Sequence, residues 1–294
     1  MIEAALLGLS TALFGPFAEF SFMQRALAGC LALSLSAAPM GVFLMLRRMS
    51  LMGDAMAHGI LPGAALGYLY AGLSLGAMTL GGIVAGVLVA VAAGLVARST
   101  VLKEDTSMAA FYLLSLALGV LIVSTRGSNV DLLHVLFGTV LALNNDALIL
   151  LGAITSFTLV GLAVLYRPLV MECLDPAFLR SVSRWSPVAH YGFLGLLVIN
   201  LVAGFHALGT LMSVGLLVLP AAASRFWMRE ITPMLLLSSC MALAGSASGL
   251  LISYHADLPT GPTIVLCLGV LYLLSLVFGR QGLLQPRSPH HLKA

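Results

Sequence analysis

The chain has 294 residues, 60% of them apolar and only 9% charged, with a mean hydropathy of +1.07. Soluble domains carry about 25% charged residues, so the composition excludes a soluble enzyme, a disordered chain and a disulfide scaffold. The net charge of +3 comes from residues that punctuate apolar runs and form no basic face, so membrane lipid is an expected partner and nucleic acid is not.

A bilayer crossing takes about 20 predominantly apolar residues. Runs of this kind lie near 26–46, 51–71, 77–97, 107–124, 147–166, 188–205, 208–224, 233–253 and 260–279. They are continuous and rich in Leu, Ala and Gly, without the alternation of a membrane barrel. Unpaired amides are too costly in hydrocarbon for anything but helix. The prediction is an all-α, polytopic helical membrane protein of eight or nine spans, forming one transmembrane domain over 1–294.

Taken in order, residues 1–24 hold Glu3, Pro16 and Glu19 but no Lys or Arg, so they lack the basic start of a secretory signal. An interfacial, retained N-terminal segment is expected there. The second run carries Asp54 and His58. The fourth is preceded by Glu104-Asp105-Thr106, an acidic helix start. Residues 131–145 are too short to cross and read as a re-entrant or surface helix. A polar connection, 167–187, holds Arg167, Glu172, Asp175, Arg180 and Arg184, and Asp175-Pro176 has the form of a helix start within it. Residues 281–294 form a tail ending near His290 and His291.

Threading the runs alternately puts Arg47, Arg48, Arg98, Lys103, Arg167, Arg180, Arg184, Arg225, Arg229, Arg280, Arg287 and Lys293 on one side. Only Arg25 and Arg126 fall on the other. The first side is then cytoplasmic, which predicts a multi-pass protein of a bacterial inner membrane with its C-terminus in the cytoplasm. The pairs Gly63/Gly67, Gly82/Gly86 and Gly245/Gly249 are spaced for close helix approach and read as packing.

Ionisable groups within spans are rare and expensive, so each is a functional candidate. Asp54 and His58 are four apart and share a helix face. A carboxylate oxygen with an imidazole nitrogen suits Zn²⁺ or Mn²⁺. Pro62-Gly63 is expected to weaken the helix just beyond, as where helices break near binding sites. An Asp–His hydrogen bond at a bend, or a hydrated interfacial Asp, fits the same spacing. Two ligands do not complete a tetrahedral site, so a second copy or another span must supply the rest. His206, at an outer turn, and His255 with Asp257, in an outer loop, are further metal candidates, each equally readable as hydrated. His134 with Asp131, His190, His290 and His291 read as structural or solvated. The four cysteines stand far apart and signal neither disulfide nor thiolate site. Neither Lys103 nor Lys293 fits a phosphate-cradling loop, and protease and esterase signatures are absent. The chain is therefore not expected to be an enzyme or to hold a permanent cofactor; ATP hydrolysis, if used, belongs to another subunit.

Several motifs recur in order: Phe22-Met23, Arg25-Ala26-Leu27, Gly41, Arg47-Arg48, Gly53-Asp54, His58 and Leu61-Pro62-Gly63. After them come Lys103-Glu104-Asp105, Leu118-Gly119, Leu136-Phe137-Gly138, Gly209-Thr210-Leu211, Leu219-Pro220-Ala221-Ala222 and Pro259-Thr260-Gly261-Pro262. Over about residues 17–280 the chain resembles the permease subunits of zinc/manganese-type ABC importers. The stretch Leu201–Thr210 looks most like the proteobacterial zinc-importer branch.

That resemblance implies a type II ABC-importer-like permease working as a homodimer. It further implies a cytoplasmic ATP-binding subunit dimer and an extracytoplasmic metal-binding protein as partners, with Zn²⁺ or Mn²⁺ as transported substrate. Asp54 and His58 match the family's metal contact. Asp175 and Phe178 match its coupling helix, with Arg180 and Arg184 beside them, although Leu179 replaces a small residue. The competing readings are an ion-coupled secondary metal carrier, which needs no ATPase, and a non-transporting scaffold.

Overall fold

The computed structural model describes residues 15–49, 51–72, 74–101, 104–125, 143–174, 178–179, 181 and 185–284. Ten helices stand among them: α1 (Ser21–Leu46), α2 (Met52–Gly59), α3 (Leu61–Ala71), α4 (Leu75–Ser99), α5 (Glu104–Thr125), α6 (Asn145–Leu174), α7 (Trp185–Leu208), α8 (Thr210–Arg225), α9 (Ile231–Ala256) and α10 (Thr260–Phe278). Residues 15–19 add one further helical turn. The 131–145 segment lies outside the described residues up to 142.

Every predicted run falls on helix, but 7 helices among the described residues are long and apolar enough to cross a membrane by themselves. The run 51–71 is the first departure from the expected eight or nine, because it is divided into α2 and α3 at Ile60. Pro62 has no N–H for the carbonyl of His58, so the ladder is interrupted there. The break thus precedes the proline, which sits in the first turn of α3 where its ring is tolerated. The second departure is α8, with 16 residues.

The predicted end at Arg167-Pro168 is also moved. Helix α6 runs through Pro168 to Leu174, so the connection to α7 is confined to 175–184. Leu169 is fully buried, and the Tyr166 hydroxyl lies 2.8 Å from the Thr232 hydroxyl of α9. These contacts hold the extended turn despite the missing amide. At the other end of α6, the Asn144 side-chain oxygen accepts the Ala147 N–H at 2.8 Å and caps the first turn. Helix α1 begins earlier than expected, at Ser21, so the boundary of the N-terminal segment at residue 24 falls inside it.

Helices α1 and α7 form the interior: 72% and 67% of their apolar windows are buried, against 17% for α5 at the margin. Helix α1 packs on α6, α7, α8 and α9, while α2 packs on α4, α5, α7 and α8. Lipid tails are as apolar as Leu, so association rests on close approach of backbones. A Cβ on Gly63 of α3 would lie 1.9 Å from the Gly81 carbonyl oxygen of α4. A Cβ on Gly41 of α1 would lie 1.7 Å from the Leu217 carbonyl oxygen of α8. The Gly-x-x-x-Gly pairs are packing surfaces, as their spacing indicated.

Candidate metal centre

Helix α2 has only 8 residues, and its placement comes from one strongly apolar face. Met52, Ala55, Met56 and Ala57 are buried against neighbouring helices. The remaining face carries Asp54 and His58, whose side chains are 61% and 31% exposed. Asp54 Oδ1 and His58 Nε2 are 3.7 Å apart, close enough to act on one ion and too far for a direct hydrogen bond. Asp54 lies in the first turn of α2, where the positive end of the helix favours a carboxylate. The two donors therefore stand together on a surface that the single chain leaves uncovered.

Helix α5 supplies the support that sequence reading missed. Ser115 donates its hydroxyl proton to the Gly59 carbonyl at 2.7 Å, fixing the end of α2 one residue after His58. The Tyr112 ring, on the same helix, lies 6.5 Å from the His58 ring, tilted by 31°. A polar Ser in the apolar run 107–124, three residues from a Tyr, was the available signal.

The other predicted ligands do not join this pair. Among the described residues, no group of three or more His, Cys, Asp or Glu side chains is arranged to hold an ion. His206, in the last turn of α7, donates Nδ1–H to the Val202 carbonyl at 2.9 Å, which leaves Nε2 as the lone-pair nitrogen. That Nε2 is buried and has no hydrogen-bond partner among the described residues. His255 makes the equivalent bond to Leu251 at 2.9 Å, and both it and Asp257 are exposed where α9 ends. Asp257 adopts a left-handed conformation with φ of 49° to turn the chain toward α10. Of the predicted coupling residues, Asp175, Arg180 and Arg184 lie outside the described residues, as do Asp131, His134, His290 and His291. Phe178 is exposed beside buried Leu179.

The chain matches the ABC 3 transport family over residues 19–279. This chain belongs to the ABC 3 transport family. It is 33% identical over 257 residues to the manganese import system permease protein ScaB of Streptococcus parasanguinis, covering 87% of this chain and 90% of that one. It is 31% identical over 263 residues to the chelated iron transport system membrane protein YfeD of Yersinia pestis, covering 90% of this chain and 87% of that one. The fold is similar to the structure of PsaBC from Streptococcus pneumoniae in complex with Fab, with a TM-score of 0.80, 29% identity and coverage of 92% and 96% of the two chains. As a member of this family the chain is a membrane transport permease subunit and not an enzyme; ATP hydrolysis lies with a separate subunit. Membership disfavours the ion-coupled secondary carrier. The substrates in these relatives' names are manganese and chelated iron, so the narrower zinc-branch resemblance gains no support from them.

Proposed function

We propose that this permease carries a divalent transition-metal ion inward across the cytoplasmic membrane, with Asp54 and His58 as its contact on the path. The observation that carries the reading is the pairing of one carboxylate and one imidazole, 3.7 Å apart, on the open face of a helix whose other face is buried. Two donors leave a four-coordinate ion half satisfied. A second copy bringing its own pair to the same place would complete the set, which favours a homodimer with the path between protomers. Relatives named for manganese and iron support a transition metal; the local wording of Leu201–Thr210 favours Zn²⁺, with Mn²⁺ next.

In this reading α2 and α3 cross together. Met52–Ala71 is about 30 Å long at about 1.5 Å per residue, the thickness of the hydrocarbon core. With α8 also crossing there are nine spans, and the Lys/Arg bias places the C-terminus in the cytoplasm. The connection 175–184, with Asp175, Phe178, Arg180 and Arg184, receives an ATP-binding subunit dimer. An extracytoplasmic metal-binding protein docks opposite, where His206, His255 and Asp257 line the approach.

The test is uptake of radioactive zinc and manganese by vesicles containing the permease, its ATP-binding subunit and its metal-binding protein. Asp54→Ala and His58→Ala each reduce uptake by about 100-fold, at least as much as losing a group that only orients a ligand, while the protein stays inserted. Uptake at the wild-type rate in both variants would remove the site. Competition between the two ions in the wild-type vesicles assigns the preferred one.

A further inference from the structure

Two polar contacts on the first turns of α7 tie that helix to the end of α6 on one side and to the turn that leads into α2 on the other. Glu172, in the last turn of α6, is 3% exposed and accepts a hydrogen bond from the Ser186 hydroxyl at 3.0 Å. Ser186 is fully buried in the first turn of α7, so this bond clasps the two ends of the connection. His190 is four residues further along α7, on the same face as Ser186, and is 3% exposed. Its Nδ1 contacts a terminal guanidinium nitrogen of Arg47. Arginine can only donate, so Nδ1 is the acceptor and the His190 ring carries its proton on Nε2. The guanidinium carbon of Arg47 lies 5.5 Å from the centre of the Phe193 ring, held over the same helix.

Arg47 is the residue at which α1 ends, and the chain from it turns tightly into α2. Arg48 takes a φ of 59° and Met49 N–H returns to the Leu44 carbonyl at 2.9 Å. Asp54 follows seven residues after Arg47, with buried Met49 and Met52 fixing the turn between. His190 and Arg47 therefore join the start of α7 to the turn that leads into the helix carrying Asp54 and His58.

We infer that Arg47 and His190 are positioning residues that transmit movement at the α6–α7 connection to the metal-contacting helix. The inference rests on the reading of this chain as an ATP-driven permease. Loss of the link uncouples: ATP is hydrolysed while the ion is not moved.

The experiment measures metal delivered per ATP hydrolysed in vesicles holding the complete complex. His190→Phe keeps an aromatic ring and removes the acceptor, and lowers that ratio by about tenfold with hydrolysis within about twofold of wild type. His190→Asn places an amide oxygen near the Nδ1 position and restores the ratio to within about threefold. A ratio unchanged in His190→Phe, an equal loss in His190→Asn, or absence of both variants from the membrane overturns the inference. Wild-type vesicles that hydrolyse ATP but deliver no metal overturn the underlying reading instead, and the inference with it.

Discussion

Ser115 and Gly59 are joined by a hydrogen bond across 56 positions of sequence, from the hydroxyl on α5 to the last carbonyl of α2. Gly59 immediately follows His58, so this bond sets where the imidazole stands. Its carbonyl would otherwise lie at a helix end without an amide donor, because the chain is interrupted there. Ser115→Ala leaves a buried carbonyl unsatisfied and should destabilise the protein by about 1–3 kcal/mol. It should also lower metal uptake more than its effect on thermal unfolding in detergent explains. Unfolding and uptake both at wild-type values would deny the bond any part in placing His58.

Pro62→Ala restores an N–H opposite the His58 carbonyl and allows α2 and α3 to join. Because Pro62 lies in the first turn of α3, where proline is acceptable, the substitution should change stability by less than about 1 kcal/mol. Uptake should nevertheless fall, because a continuous helix turns Asp54 and His58 away from their present setting. Undiminished uptake by a normally stable variant would show that the interruption is incidental.

Gly63→Ala tests the closest contact between α3 and α4. Its Cβ would meet the Gly81 carbonyl oxygen at 1.9 Å, and backbone must move to relieve it. Overpacking of this kind costs about 1–3 kcal/mol or more, so the yield of folded protein in detergent should drop. Gly152→Ala, with nothing within 4 Å of the added carbon, serves as the control and should remain at wild-type yield. Equal yields for the two variants would contradict the close approach.

His255→Ala and Asp257→Asn act on exposed groups that belong to no cluster of metal donors among the described residues. They should shift the metal concentration for half-maximal uptake by no more than about threefold, because interactions of exposed charges are weakened by water and salt to below about 1 kcal/mol. A loss as large as that of Asp54→Ala would move the principal contact outward.

The helices themselves were legible because each long apolar run has one acceptable state in hydrocarbon: a helix that satisfies its own amides. Asp54 and His58 were legible for a related reason, since a carboxylate and an imidazole four residues apart in an apolar run stand out and share a face by helix geometry alone. Where the runs end was read less well. Arg167-Pro168 marks a boundary in sequence, yet α6 passes through it because Leu169 and Glu172 find buried partners on other helices. The division of 51–71 was foreshadowed by Pro62-Gly63, but its place at Ile60 follows from the hydrogen bond that the proline cannot make.

Sequence by itself determined that the chain is a bundle of apolar helices with one acidic and one imidazole side chain set close together on a short stretch. Those are local consequences of composition and of the 3.6-residue turn. Only the tertiary structure decided that this stretch is a separate helix with its opposite face buried, that Ser115 holds its end, and that Arg47 reaches His190, 143 positions away. Contacts of that kind depend on which helices lie side by side, and apolar faces of similar composition do not specify their neighbours until small residues such as Gly41, Gly63 and Gly81 let particular backbones meet.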